Sequence, residues 1–329
     1  YEIYQCDWSS DVCSSDLNYD FGTNPCSEII LRPYQFCNLT EVVVRAEDTV
    51  DTLARKVRIA TILGTFQSTL THFPYLRKIW QKNTEDERLL GVSLTGILDN
   101  HWMGEVNEST AKNLEQLRNI AISSNSEFAD ILGIPRSVAI TCVKPSGTVS
   151  QLVDSASGIH ARHSQYYIRR VRGDKKDPLS TFLTVSGVPA EDCVMRPDST
   201  VVFSFPMKAP EGARLRDDLT ALQHLDLWLM YQRHWCEHKP SVTISIKDDE
   251  WMDVGAWVWR HFDEVSGVSF LPWDGGSYRQ APYEECSEET YKELLSKMPA
   301  HIDWNLLSEQ DDNVEGAQTL ACVAGHCEI

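Results

Sequence analysis

Asn24, Cys26 and Glu28 alternate within the run Asn24-Pro-Cys-Ser-Glu28. In an extended or loop backbone, side chains two positions apart point the same way, so all three can face one pocket. A thiol between an amide and a carboxylate suits chemistry on a hydroxylated substrate. The carboxylate takes a hydroxyl proton, the amide holds a hydroxyl, and the sulfur reacts. Cys37 supplies a second thiol eleven positions after Cys26. A further pair, Cys322 and Cys327, stands in a C-x4-C spacing near the end of the chain. Such a dithiol suits thiol–disulfide exchange: it visits a disulfide, reduces it and then meets an external reductant. A zinc knuckle usually has two residues between its cysteines and further ligands nearby, whereas only His326 is close here. No resident metal is expected.

A third group of residues reads Lys144-Pro-Ser-Gly-Thr-Val-Ser150. A buried strand over Val138–Val143 runs into it and a helix is expected after it. Ser146, Gly147, Thr148 and Ser150 then offer backbone N–H groups and hydroxyls to a phosphate, without a lysine-tipped P-loop. Lys144 and the Arg169–Arg170 pair add positive charge.

These residues need a scaffold. A short strand is expected at Val42–Val44, and a helix from about Asp48 to Leu70 with Leu53, Val57, Ala60, Leu63 (or Gly64) and Phe66 near one face. A helical run restarts at Tyr75–Lys82. Thr84-x-x-Glu87 has the form of a capping box ahead of Leu89 and Leu90. Gly91–Gly96 is a small-residue segment that lets backbone approach closely. Asn107 caps a long helix through Leu132, with Leu114, Leu117, Ala121 and Phe128 facing inward. Val201–Phe205, Ser241–Ile246 and Val268–Leu271 read as strands, and Asp218–Cys236, Asp249–Val265 and Ser287–Met298 as helices. Strands alternating with helices indicate an α/β chain. Residues 308–329 read as an acidic, flexible, redox-active tail.

The 329 residues suffice for one large domain or two medium ones. Their composition is that of a soluble globular protein, and no run approaches the length of a membrane span. A net charge of −18 disfavours a nucleic-acid partner but leaves a nucleotide substrate open. Ten cysteines, too sparse for a secreted disulfide scaffold, suggest a reducing, cytoplasmic setting. Cys142, Cys193, Cys236 and Cys286 read as core thiols. Asp7–Leu17, DWSSDVCSSDL, looks like a translated sequencing adapter and lacks periodicity. Residues 1–17 are therefore set aside with Cys6 and Cys13, and the natural sequence is expected to start near Asn18 of a truncated gene.

NPCSE with the second cysteine, PSGTVS, GVSLTGILD, QYYIRRVR, SFLPWDGGSYRQAPYEE and the terminal C-x4-C together resemble the adenosylcobalamin-dependent (class II) ribonucleoside-triphosphate reductases, from about Asn18 to Ile329. The resemblance implies a ten-stranded α/β barrel with the reactive cysteine on a central loop. This chain would supply that loop and the later part, 18–307, with the N-terminal half missing. In the family, cobalt–carbon homolysis leads to a thiyl radical, and Cys26 matches its position. Glu28 matches the base for the 3′-hydroxyl, and Asn24 the amide that positions the sugar. Cys37 matches one of two reducing thiols, whose partner lies on an earlier strand. Cys322 and Cys327 match the tail pair recharged by thioredoxin. Cobalamin contacts are expected between Val201 and Gln280, without individual residues. The family member is expected to be monomeric and, as a fragment, this chain inactive.

Two alternatives carry different signatures. In the large subunit of an iron-dependent (class I) ribonucleoside-diphosphate reductase the radical arrives through a tyrosine pair, for which Tyr166–Tyr167 is a doublet. A non-catalytic zinc- or thiol-binding module would set Cys322, His326 and Cys327 around a metal. Cobalamin binding and a metal assay separate these readings from the first. Residues 1–17 are predicted to pack on nothing, so deleting them should leave the thermal unfolding midpoint unchanged.

Overall fold

The computed structural model describes residues 20–273 and 278–308, which fall into two compact units. The first holds the described residues up to Ala161, with Glu211–Arg214 and Asp218–Pro272. The second holds Arg162–Pro210, Leu215–Asp217 and the described residues from Trp273 onward.

The antiparallel pair β1 (Gly22–Thr23) and β2 (Ile30–Leu31) brackets the Asn24–Glu28 loop. Strand β3 (Asn38–Val43), helices α1 (Val50–Gln67) and α2 (Lys78–Glu87), strand β4 (Leu90–Thr95), helix α3 (Glu108–Leu132), strand β5 (Thr141–Cys142) and the short helix α4 (Val149–Leu152) follow. The second unit then contributes β6 (Tyr166–Asp174), α5 (Pro178–Val185), β7 (Ala190–Asp192) and β8 (Thr200–Lys208). The first resumes with α6 (Ala221–His234), β9 (Val242–Ile246), α7 (Trp251–Arg260) and β10 (Val268–Pro272). Strand β11 (Tyr283–Glu285) and helix α8 (Glu288–Lys297) belong to the second.

In the first unit β3, β4 and β5 pair in parallel, as do β9 and β10. A parallel bridge from Val143 to Pro240 joins β5 to β9, with Val143 N–H donating to Lys239 O at 3.1 Å and Ser241 N–H to Val143 O at 2.9 Å. The strand order is thus β3-β4-β5-β9-β10. Among the described residues this sheet is open, with β3 and β10 as its ends. Pleating divides β4 between two faces. Leu90, Val92 and Leu94, each fully buried, join the core with Leu53 and Val57 of α1 and Leu114, Leu117 and Ala121 of α3. Gly91, Ser93 and Thr95 face the other side, in register with Leu39, Glu41 and Val43 of β3, and Ser93 with Cys142 of β5. A Cβ on Gly91 would stand 2.4 Å from Leu39 Cδ2 and 2.9 Å from Ile29 Cδ1, so the close approach expected of this segment is real. The polar ends of the core aromatics are satisfied: Trp228 Nε1 donates to Pro240 O at 2.7 Å and Tyr231 OH to Met103 O at 3.0 Å.

Several expectations need correction. On α1 it is Gly64 that faces inward, against Leu90, while Leu63 and Phe66 are exposed. Thr84-x-x-Glu87 closes α2 instead of opening a helix. Its side chains are taken by the preceding segment: Thr84 Oγ1 accepts from Phe36 N–H at 3.4 Å, and Glu87 pairs with Arg32 at 2.8 Å. Asn107 does cap α3, its Oδ1 accepting from Thr110 N–H at 2.9 Å, but Phe128 is only half-buried and meets Phe66 edge-on. Cys142, Cys193 and Cys236 are buried, whereas Cys286 is half-exposed and is not a core thiol. The second unit departs most from the sequence reading. Its sheet is antiparallel, in the order β11-β6-β8-β7, and YYIRRVRGD forms its nine-residue strand β6. Arginines at 169, 170 and 172 hid that strand from a hydropathy reading. Val188, Val201 and Phe203 form its core. No helix among the described residues is long and apolar enough to cross a membrane.

Three histidines of the first unit are held neutral in the interior. His238 Nε2 donates to Leu90 O at 2.8 Å while Nδ1 accepts from Ile30 N–H at 3.3 Å. Burial pushes His224 and His238 down to about 4 and lowers His160 as well. The unfolded chain therefore binds more protons than the folded one between the ordinary histidine value, about 6.5, and about 4. Stability should be intact above that window and fall by several kcal/mol in all as pH drops through it. Urea unfolding across the window checks this, and His238→Gln should flatten the dependence.

Candidate active site

The Asn24–Glu28 loop is a tight turn held by its own backbone. Asn24 N–H donates to Ile29 O at 3.2 Å, and Ser27 N–H to Asn24 O at 2.9 Å. Ser27 sits in the left-handed region at φ +63. The Asn24 carbonyl Oδ1 accepts from Ile29 N–H at 3.0 Å, so only its NH2 is left to meet a ligand. Cys26 is half-buried in the turn, and Glu28 is turned fully inward, 0% exposed. The turn, more than an extended alternation, groups these side chains. Glu28 O accepts from Lys239 N–H at 3.1 Å and so ties the loop to the β5–β9 junction.

Lys144, two residues beyond β5, reaches back to this loop. Its Nζ lies 2.9 Å from Glu28 Oε1, while Glu28 Oε2 is buried without a hydrogen-bond partner. Lys144 N–H donates to Ser93 Oγ at 2.9 Å. Its carbonyl lies over Gly158, where φ is +55 and a Cβ would stand 2.4 Å from that oxygen. Only glycine fits there. Burial alone would lower the Lys144 ammonium, but the hydrogen bond and charge of Glu28, with Cys26 and Cys142 nearby, raise it overall.

Cys37 immediately precedes β3. Burial first, then the Glu28 charge, pushes its thiol far above the ordinary range, and the Asn38 N–H and Lys144 draw it back only in part. Cys142 is raised by burial and by the neighbouring Cys236, Cys37 and Glu28. The expected site residues Cys26, Glu28 and Cys37 thus share the surroundings of one lysine. Ser146 starts the turn toward α4. Its Oγ accepts from Ser150 N–H at 3.1 Å, and its carbonyl accepts a short hydrogen bond from the buried Ser150 hydroxyl. Those contacts commit Ser150 to holding the turn, while Thr148 is exposed and Gly147 half-buried. Cys322, His326 and Cys327 lie outside the described residues. Among the described residues no group of three His, Cys, Asp or Glu is placed to hold a metal ion.

Sequence reasoning missed Glu41. It stands opposite Ser93 on the same face as Cys142 and lies within reach of the Ser146 and Thr95 hydroxyls. Burial raises its carboxyl group despite those hydroxyls and Lys144, and its Oε1 is buried without a partner. The available signal was period two: Cys37, Leu39 and Glu41 alternate into one face.

This parallel, helix-flanked sheet with thiols and carboxylates on one face has the fold of part of a ribonucleotide reductase. A B12-dependent (class II) ribonucleotide reductase superposes with a TM-score of 0.71 at 26% identity, covering 87% of this chain and 43% of that one. The class Id reductase alpha subunit of Actinobacillus ureae, at 11% identity and a TM-score of 0.52, shares the fold alone. By sequence the chain is similar to the adenosylcobalamin-dependent ribonucleoside-triphosphate reductases of Euglena gracilis, at 28% identity over 93% of this chain, and Lactobacillus acidophilus, at 27% over 94%. It is also 27% identical, over 97% of its length, to a probable reductase of that name from Dictyostelium discoideum. No protein-family model matches the chain. It is related to these adenosylcobalamin-dependent reductases along nearly its whole length, and it spans 42–45% of the length of those curated relatives.

Asn24 allows its loop role to be separated from any ligand role. Asn24→Ala strips the Ile29 N–H of its acceptor and should cost about 1–2 kcal/mol in urea unfolding. Asn24→Asp keeps that acceptor and should leave stability near wild type while removing the amide donor.

Proposed function

We propose that this chain is part of an enzyme that reduces ribonucleoside triphosphates to 2′-deoxyribonucleoside triphosphates, with adenosylcobalamin as cofactor. The supporting observation is the contact between Lys144 and Glu28, which brings the thiol loop beside the Ser146 turn on the face that carries Cys142 and Glu41. The five parallel strands β3-β4-β5-β9-β10 correspond to half of a ten-stranded barrel, and the rest of the protein would pair at β3 and β10. Residues 18–307 form the barrel part together with its cobalamin-contacting segments, while 1–17 and the cysteines of the redox tail at 308–329 lie outside the described residues. The enzyme works as a soluble cytoplasmic monomer with thioredoxin as reductant.

Adenosylcobalamin, when bound, supplies the radical that starts the reaction. The stretch Val201–Gln280 expected to contact it divides between the two units, and 274–277 lie outside the described residues. Cys26, as a thiyl, takes the hydrogen atom from C3′ and becomes a thiol. The open Glu28 Oε2 accepts the 3′-hydroxyl proton, and the Asn24 NH2 holds a sugar hydroxyl. The 2′-hydroxyl leaves as water after taking a proton from the thiol pair. Cys37 and a partner thiol on the part of the enzyme outside this chain supply two electrons and two protons and close into a disulfide. Cys26 returns its hydrogen atom to C3′, and Glu28 returns its proton to the 3′ oxygen. Cys322 and Cys327 reduce that disulfide by exchange and are recharged by thioredoxin. Backbone N–H groups of Ser146, Gly147 and Thr148 take the phosphates, with Ser150 bracing the turn.

The test fuses this chain to the segment of the Euglena gracilis relative that it does not match. The fusion is assayed with adenosylcobalamin, a ribonucleoside triphosphate and thioredoxin, and deoxynucleotide is measured by chromatography. The fusion should turn over and the 329-residue chain alone should not. Cys26→Ser should lower the rate at least about a thousandfold. Cys322→Ser should keep one turnover and lose those driven by thioredoxin. Undiminished activity in Cys26→Ser would refute the assignment.

A further inference from the structure

Glu28 and Glu41 are both drawn in from solvent, and each keeps one oxygen without a hydrogen-bond donor, Oε2 and Oε1 respectively. An unmet buried acceptor costs about 1–3 kcal/mol, and more when charged. A purely structural ion pair would have both oxygens of its carboxylate satisfied, and buried pairs add little net stability in any case. The Lys144 ammonium lies 2.9 Å from Glu28 Oε1, and its charge draws Glu41 down only weakly against burial. A lysine engaged in this way is a poor free cation for phosphate. Its anchors are a strand hydroxyl, Ser93 Oγ, at 2.9 Å and the close glycine Gly158 beneath its carbonyl.

We propose that Lys144 is the positioning residue of this site: it holds Glu28 by Oε1 so that Oε2 faces the substrate hydroxyl, and it ties that carboxylate to the Ser146 turn. The role extends the reductase reading above and rests on it for the identity of the hydroxyl, though not for the pairing itself. Sugar hydroxyls arriving with the substrate supply the donor that Glu28 Oε2 lacks. Phosphate is then met by backbone N–H groups, and Lys144 stays with Glu28.

The pairing is tested first on the 329-residue chain, without cofactor or nucleotide. Iodoacetamide labelling of Cys37 at one fixed pH, followed by peptide mass mapping, reads the balance of charge beside that thiol. Lys144→Met should slow labelling about tenfold, Glu28→Gln should speed it by a similar factor, and Lys144→Arg should stay near wild type. Faster labelling in both Lys144→Met and Glu28→Gln would mean loosened packing and would overturn the proposal, as would an unchanged rate in Lys144→Met. The second arm uses the active fusion. There Lys144→Met should lower kcat about a hundredfold with little change in KM for the ribonucleoside triphosphate, and Lys144→Arg should recover most of it. A raised KM with kcat kept would make Lys144 a phosphate ligand and sink the proposal while the reductase reading stands. An unsubstituted fusion with no activity would sink the reductase reading, and the labelling result would still decide the pairing.

Discussion

The contact between Lys144 and Glu28 joins segments 116 positions apart, and the rest of the candidate site is arranged around it. It fixes the thiol loop to the end of β5 and so decides which side of the sheet Cys26 and Glu28 share with Cys37, Glu41 and Ser146. With the carboxylate of the pair fully buried, its surroundings must supply further hydrogen bonds. The Ser93 hydroxyl, the Lys239 N–H on Glu28 O and the self-bonded turn at Asn24 do part of that work. One carboxylate oxygen on each glutamate is left over, which marks the place where a polar ligand would complete the site.

The sheet beneath explains why the contact can form. Parallel pairing of β3, β4 and β5 puts the ends of these strands side by side, and the segments leaving them meet there. The apolar face of β4, packed on α1 and α3, holds the sheet rigid behind the site. The opposite face carries the small and polar residues Gly91, Ser93 and Thr95, so it leaves room for side chains arriving from the loops. Glycine at 91 and at 158 is a packing requirement: a Cβ would collide with the Leu39 and Ile29 side chains in the first place and with the Lys144 carbonyl in the second.

Among the described residues the sheet of the first unit is open at β3 and β10. The antiparallel second unit adds a sheet of a different kind, rich in arginine and tyrosine. In that sheet Arg169 lies over the Tyr283 ring at 4.5 Å and gives two of its hydrogen bonds to the carbonyls of Arg170 and Pro282. Burial lowers its guanidinium below the ordinary value.

The chemistry-bearing residues were legible in the sequence because they are local. Asn24, Cys26 and Glu28 fall within five positions, PSGTVS is one run, and the Asn107 cap is a contact to Thr110. The α/β alternation was legible for the same reason, since hydropathy with a period of two or 3.6 is read within a short window. Strand β6 was not, because tertiary packing buries arginines that hydropathy assigns to the surface. Thr84 and Glu87 misled because a capping pattern and a pair of side chains bonded to a distant segment look alike in one dimension. Glu41 and the true partner of Lys144 could come only from the folded chain. Strand register decides which residues face each other across 52 positions, as Glu41 and Ser93 do, and a loop 116 positions away decides where a lysine spends its charge.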